Sequence, residues 1–156
     1  MSMVPLPIPA APIQLASYEI HEQIVQLHPG GDVSQPSSGL YLGVWGDRSF
    51  EDDRVSLDLF VSVNETDPEG DAVAETNPHY RGRVVLRGEF LWIGGEDLPE
   101  EERRNLLTVN GLSVLYGIAR VYLRQLAEPL PAPPLLLPTV SFRDALSALA
   151  SPDAAG

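Results

Sequence analysis

The sequence predicts an α+β fold: a four-stranded antiparallel sheet followed by a long helix, a proline-rich crossover and a short C-terminal helix. Three observations carry that expectation. Val55 to Asn64 and Tyr80 to Ile93 alternate apolar and polar residues with the period of a strand buried on one face. The stretch from Asp97 onward holds a long helix that is apolar around most of its circumference. Pro129, Pro131, Pro133, Pro134 and Pro138 then keep the chain extended before a second, amphipathic helix. Strands first and helices last is the order of a segregated α+β domain.

Residues 1–14 are expected to form a Pro/Ala-rich arm, 15–150 a single domain, and 151–156 a short tail. A first strand is predicted from Ala16 to Leu27, with Tyr18, Ile20 and Ile24 on one face. The alternation slips there, because Val25 and Leu27 fall on the other face; a bulge or burial on both faces would explain it. His28 to Gly39 is a loop, marked by Pro29-Gly30-Gly31 and Pro36-Ser37-Ser38-Gly39. A short strand, Leu40 to Trp45, follows. In the cleanest strand Val55, Leu57, Leu59, Val61 and Val63 point one way, and Ser56, Asp58, Ser62 and Asn64 the other. Glu65 to Pro78 is a polar turn region. In the next strand Tyr80, Val84, Leu86, Phe90 and Trp92 share the inner face, with Arg81, Arg83, Arg87 and Glu89 on the outer one. Two half-buried strands joined locally imply an antiparallel sheet with one face covered.

Gly94-Gly95 and Asp97 announce the long helix, with Pro99 in its first turn and Glu100, Glu101 and Glu102 near its positive end. At about 100° per residue from Leu106, Asn110, Ser113, Gly117, Arg120 and Arg124 fall on one narrow arc. This arc either lets two helices approach closely or is the helix's wet side. Apolar residues cover nearly everything else. A surface helix of a small monomer needs only one apolar stripe, so this one must be covered on two sides. The chain's own sheet supplies one cover and a second copy the other. Leu112, Leu115, Tyr116, Ile118, Ala119 and Tyr122 are the expected oligomer interface. Ser141 is the expected cap of a closing helix, Phe142 to Ala150.

At 156 residues, 44% hydrophobic and 21% charged, the chain has the size and composition of one folded domain. It has no cysteine, which excludes disulfides and thiolate chemistry. The segment Met1 to Leu15 lacks a positive n-region and is broken by prolines, so no signal peptide is expected and a cytoplasmic location is. The net charge of −12 argues against nucleic acid and anionic membranes as partners. It suits a chain that stays soluble while exposing apolar surface, or one that meets basic partners.

No enzyme signature is present. His21, His28 and His79 lack metal-ligand spacing. Gly30-Gly31 and Gly94-Gly95 are lone pairs and not a phosphate loop. Asp47, Glu51, Asp52 and Asp53 read most simply as a solvated loop. No metal and no cofactor are expected.

Val114-Leu115-Tyr116-Gly117-Ile118-Ala119-Arg120, and Leu137-Pro138-Thr139-Val140-Ser141-Phe142 followed by Asp144-Ala145-Leu146, resemble the two signature segments of the SecB export-chaperone family. The order of elements over about residues 15–150 matches as well. Gly117 stands where the family usually has proline. The resemblance implies a homotetramer, a dimer of dimers with its long helices between outer sheets. It also implies an ATP-independent holdase that binds unfolded or pre-export polypeptides in apolar grooves. The matching client-binding positions are Leu130, Leu135, Leu136, Leu137, Val140, Phe142 and Leu146. Leu135 to Leu137 can instead simply cover the sheet, and Phe142 and Leu146 can be core anchors.

Export members dock the motor SecA through acidic groups on the sheet surface. Here that surface offers Arg81, Arg83 and Arg87, expected to pair across strands with residues such as Asp58. SecA is therefore an uncertain partner, and a strongly acidic rim is expected to favour basic clients. The alternatives are a dedicated chaperone for one partner, such as the antitoxin of a toxin–antitoxin pair, and a small-ligand-binding or purely structural oligomer.

Overall fold

A computed structural model of the chain describes residues 3, 12–27, 43–63, 79–95 and 97–146. The expected arm and loop (apart from Met3 and the start of the first strand), the polar turn region, most of the closing helix and the tail lie outside these residues.

Four strands, β1 (Ile13–Leu27), β2 (Gly43–Glu51), β3 (Arg54–Val63) and β4 (Tyr80–Trp92), form one antiparallel sheet in the order β1-β4-β3-β2. The central pair behaves as its alternation predicts. Val55, Leu57, Leu59, Val61 and Val63 on β3 and Tyr80, Val84, Leu86 and Phe90 on β4 are buried, making the inner face the floor of the core. On the outer face Arg87 pairs with Asp58 at 2.8 Å, Arg54 lies 3.5 Å from Glu89, and Arg83 pairs with Glu22. The cross-strand pairing expected for Arg87 is thus present, and the neighbouring strand β1 supplies the acid for Arg83.

Both edge strands differ from their sequence reading. The slip in β1 is resolved by bulges between Leu15 and Ser17 and between Ile20 and Glu22. Past the second bulge Val25 sits opposite Gly82 and Leu27 opposite Tyr80, on the inner face, and Ile24 moves outside opposite Arg83. Ile24 therefore does not share a face with Tyr18 and Ile20.

Strand β2 runs well past Trp45. Glu51 pairs with Arg54, so only Asp52 and Asp53 form the turn, Asp52 with a left-handed φ of 52°. The acidic group expected to be a loop is a hairpin end: Asp47 and Glu51 lie in the strand. The inner face of β2 hides its strand character, because it carries Gly46 and Arg48. Gly46 sits under Leu112, and the Arg48 guanidinium donates to Thr108 Oγ1 at 3.3 Å while lying 5.2 Å from the centre of the Phe50 ring. An inward-pointing charge also blunts an edge strand against pairing with other chains.

Helix α1 (Glu100–Ala127) crosses the inner face of the sheet. Pro99 precedes it, and Glu100, Glu101 and Glu102 occupy the first turn, where the helix dipole favours negative charge. Its sheet-facing stripe includes Leu107, Thr108, Gly111, Leu112, Leu115 and Ala119, all buried. Two glycines bring the layers together. A Cβ on Gly88 would lie 2.7 Å from Leu115 Cδ2, and one on Gly111 2.4 Å from Leu57 Cδ1. By length and hydropathy α1 could cross a bilayer; its place on the sheet is that of a core helix.

A candidate polypeptide-binding groove

Residues 128–133 turn the chain back, and residues 134–141 return along α1 as an extended strap, all without helix or strand. Its prolines cannot continue the helix and fix φ near the extended range. Two buried tyrosines hold it down. Tyr80 Oη donates to the Pro133 carbonyl at 2.6 Å and Tyr116 Oη to the Pro138 carbonyl at 2.5 Å. The Tyr116 ring also meets Phe142 edge-on, with centroids 5.8 Å apart. Burial pushes the Tyr116 phenol up to about 12, an effect that Arg120 partly offsets, and burial raises Tyr80 as well.

Extended backbone sends successive side chains to opposite sides. Leu135 and Leu137 are accordingly buried, at 2% and 7% exposure, whereas Leu136 between them is 58% exposed. Of the expected client-binding residues, Leu135, Leu137 and Phe142 are therefore core anchors. They pack into the core and offer a client little surface. Leu130, Val140 and Leu146 are half-buried, the first two packed against the core. Leu136 alone of that set projects outward. The closing helix begins no earlier than the turn after Phe142, where the Ala145 amide donates to the Phe142 carbonyl at 3.1 Å.

Between strap and helix runs a groove of about 330 Å³. Gly117, Arg120, Val121 and Arg124 form one wall, and Leu135, Leu136 and Leu137 the other. A Cβ on Gly117 would meet nothing within 4 Å. Arg120 lies with its guanidinium 5.9 Å from the centre of the Tyr116 ring. Part of the polar arc seen in the sequence is thus a groove wall. Val121, Arg120 and Arg124 were missed as a site. The available signal was that both arginines follow a stretch of helix with no acid after Glu102.

The expected oligomer interface also divides. Leu112, Leu115 and Ala119 point into the subunit's own core, and Tyr116 is covered by the strap, all at 3% exposure or less. They are not available to a second copy, because the sheet and the strap already cover them. Ile118 and Tyr122 are half-buried on the side facing β1, where Tyr122 shares a hydrogen bond with the exposed Tyr18. Val114, one turn before Ile118, is 43% exposed.

Among the described residues no group of three or more His, Asp or Glu side chains could hold a metal ion. His21 lies 3.2 Å from exposed Glu19, and buried His79 packs edge-on against Tyr80.

No family model matches this chain, and no curated protein matches it. A solved structure does: the Mycobacterium tuberculosis SecB-like chaperone in complex with a ChAD peptide from the HigA1 antitoxin. The match has a TM-score of 0.51 at 18% identity, over 83% of this chain and 91% of that chain. The fold is SecB-like. The SecB-like arrangement of a four-stranded antiparallel sheet followed by a long helix agrees with the sequence expectation. In this chain the strap, held down by Tyr80 and Tyr116, exposes Leu136 above a groove with two arginines.

Proposed function

We propose that this protein is a SecB-like, ATP-independent chaperone that captures extended apolar stretches of unfolded polypeptides. The observation that carries the reading is the groove between α1 and the strap. It presents Leu136 and Val121, exposed at 58% and 53%, in a fold shared with a chaperone solved with a bound peptide. A strap ordered before binding spares the complex the entropy of ordering a loop. Apolar contacts made by side chains alone suit many client sequences. The test is aggregation of a chemically denatured client, titrated with this protein without nucleotide. Saturating suppression near one client per oligomer is expected. No suppression of several unrelated clients by a well-folded sample would defeat the general holdase reading.

A second reading, a chaperone dedicated to one partner such as an antitoxin, is favoured by the same match, whose peptide comes from an antitoxin. Strong binding of a single partner with no general suppression selects it. In either case the working form is proposed to be a homotetramer, a dimer of dimers. Its contacts would use the β1 side of α1, where Val114, Ile118, Tyr122 and Tyr18 leave apolar and aromatic surface open. SecA docking is not part of the proposal, because the outer face of the sheet carries arginine–carboxylate pairs.

A further inference from the structure

The chain's net charge of −12 suggests basic clients, yet the groove itself is lined by cations. All ten basic residues are arginines, since the sequence contains no lysine. Arg54, Arg83, Arg87, Arg103 and Arg104 each pair with a carboxylate, on Glu89, Glu22, Asp58, Asp53 and Glu100 respectively. Arg48 is turned inward onto Thr108 and Phe50. Arg81 has a partner of its own. Among the described residues Arg120 and Arg124 have no carboxylate partner, and neither has the exposed Arg143 outside the groove, in a protein where acids outnumber bases 22 to 10. Both line the one groove where Val121 and Leu136 stand exposed.

Resting on the polypeptide-binding reading above, we propose that this groove selects segments in which two carboxylates alternate with one intervening residue among apolar neighbours. The spacing supplies the argument. Residues i and i+4 on a helix place their Cβ atoms about 6 Å apart, and in an extended chain residues i and i+2 on one face are separated by about 7 Å. An extended acidic-x-acidic segment can therefore meet both guanidiniums at once, each of which can grip a carboxylate with two parallel N–H donors. Its flanking apolar side chains then reach Val121 and Leu136. A second copy of this chain is a poorer occupant. From Asn105 to Ala127 the helix has no Asp or Glu, so helix-on-helix packing here would leave both arginines without a counter-charge.

The experiment uses three fluorescent peptides, identical except that the two alternating positions are Glu, Gln or Arg, and reads binding to the full chain by anisotropy at low and high salt. The Glu peptide should bind about five- to tenfold tighter than the Gln peptide, as expected for two partly exposed ion pairs. That advantage should shrink at high salt. The double variant Arg120→Gln, Arg124→Gln should bind the Glu and Gln peptides equally. Leu136→Asp, which puts a carboxylate at the rim without touching the arginines, should shift preference toward the Arg peptide. Equal affinity of the wild type for Glu and Gln peptides overturns the inference, as does a preference that survives the double variant. So does a fall in oligomer mass caused by the double variant, which would assign the groove to self-association. Aggregation suppression measured alongside separates the two levels. Suppression without acidic preference removes this inference only, whereas loss of both suppression and peptide binding removes the parent reading too.

Discussion

The two long sides of α1 are alike in sequence and unlike in the folded subunit. Toward the strap, Tyr116 is covered: its hydroxyl holds Pro138, its ring meets Phe142, and Leu135 and Leu137 close the gap. Toward β1, Val114 remains 43% exposed, Ile118 and Tyr122 are half-covered, and Tyr18 stands open beside them. An apolar helix that needs cover on both sides is thus served on one side by its own strap and on the other by nothing among the described residues. The closed side builds a groove wall, and the open side is the place to look for a second copy.

The largest expected effect tests the sheet contact that both sides share. Leu115→Ala empties a fully buried site against Gly88 and should cost about 3 kcal/mol in urea-induced unfolding, within the usual range for such cavities. Breaking the closed side is milder. Tyr116→Phe removes the hydroxyl that holds Pro138 and should cost about 1 kcal/mol, with faster amide hydrogen exchange at Leu135 and Leu137.

The same variant sharpens the comparison through pH. The folded protein holds the Tyr116 proton up to about 12, above the ordinary value of 10.0 that applies when unfolded. The folded state therefore binds more protons between those values, so stability is intact below pH 10 and falls as pH rises toward 12. Tyr116→Phe should flatten the part of the Tm-versus-pH curve above pH 10 that Tyr116 contributes; an unchanged slope would reject this assignment.

Val114→Asp on the open side should leave the subunit as stable as wild type but lower the oligomer mass measured by light scattering. A fully assembled, fully folded variant would rule that side out as the interface. Smallest of all, Asp58→Asn on the outer face should leave the urea midpoint unchanged, because its pair with Arg87 is solvent-exposed.

Much of the framework was legible because it is periodic. The β3 and β4 alternation located the sheet's inner face residue by residue, and the circumferential apolarity of α1 correctly demanded more cover than one sheet. What failed was the identity of the cover. Tyr116 was assigned to a second copy because no pattern in the chain says that its hydroxyl reaches a carbonyl 22 residues later. Strand β2 was cut short because Gly46 and Arg48 face inward, where alternation leads one to expect apolar side chains. In the strap a signal was present and unused. Leu135, Leu136 and Leu137 between Pro134 and Pro138 must alternate in an extended chain, so only one or two of the three could face out. The groove depended on arginines of one element meeting leucines of another, which local periodicity does not encode.

The prolines of the strap have a consequence for letting go. A client lying in the proposed groove would run beside backbone that offers amide donors only in short runs, Leu135 to Leu137 being bounded by Pro134 and Pro138. Such a backbone cannot template a continuous ladder of inter-strand hydrogen bonds. On the proposed function a client would be gripped by side chains and not stitched into a sheet, so captured chains would not be seeded toward the cross-β assemblies that unfolded polypeptides otherwise form.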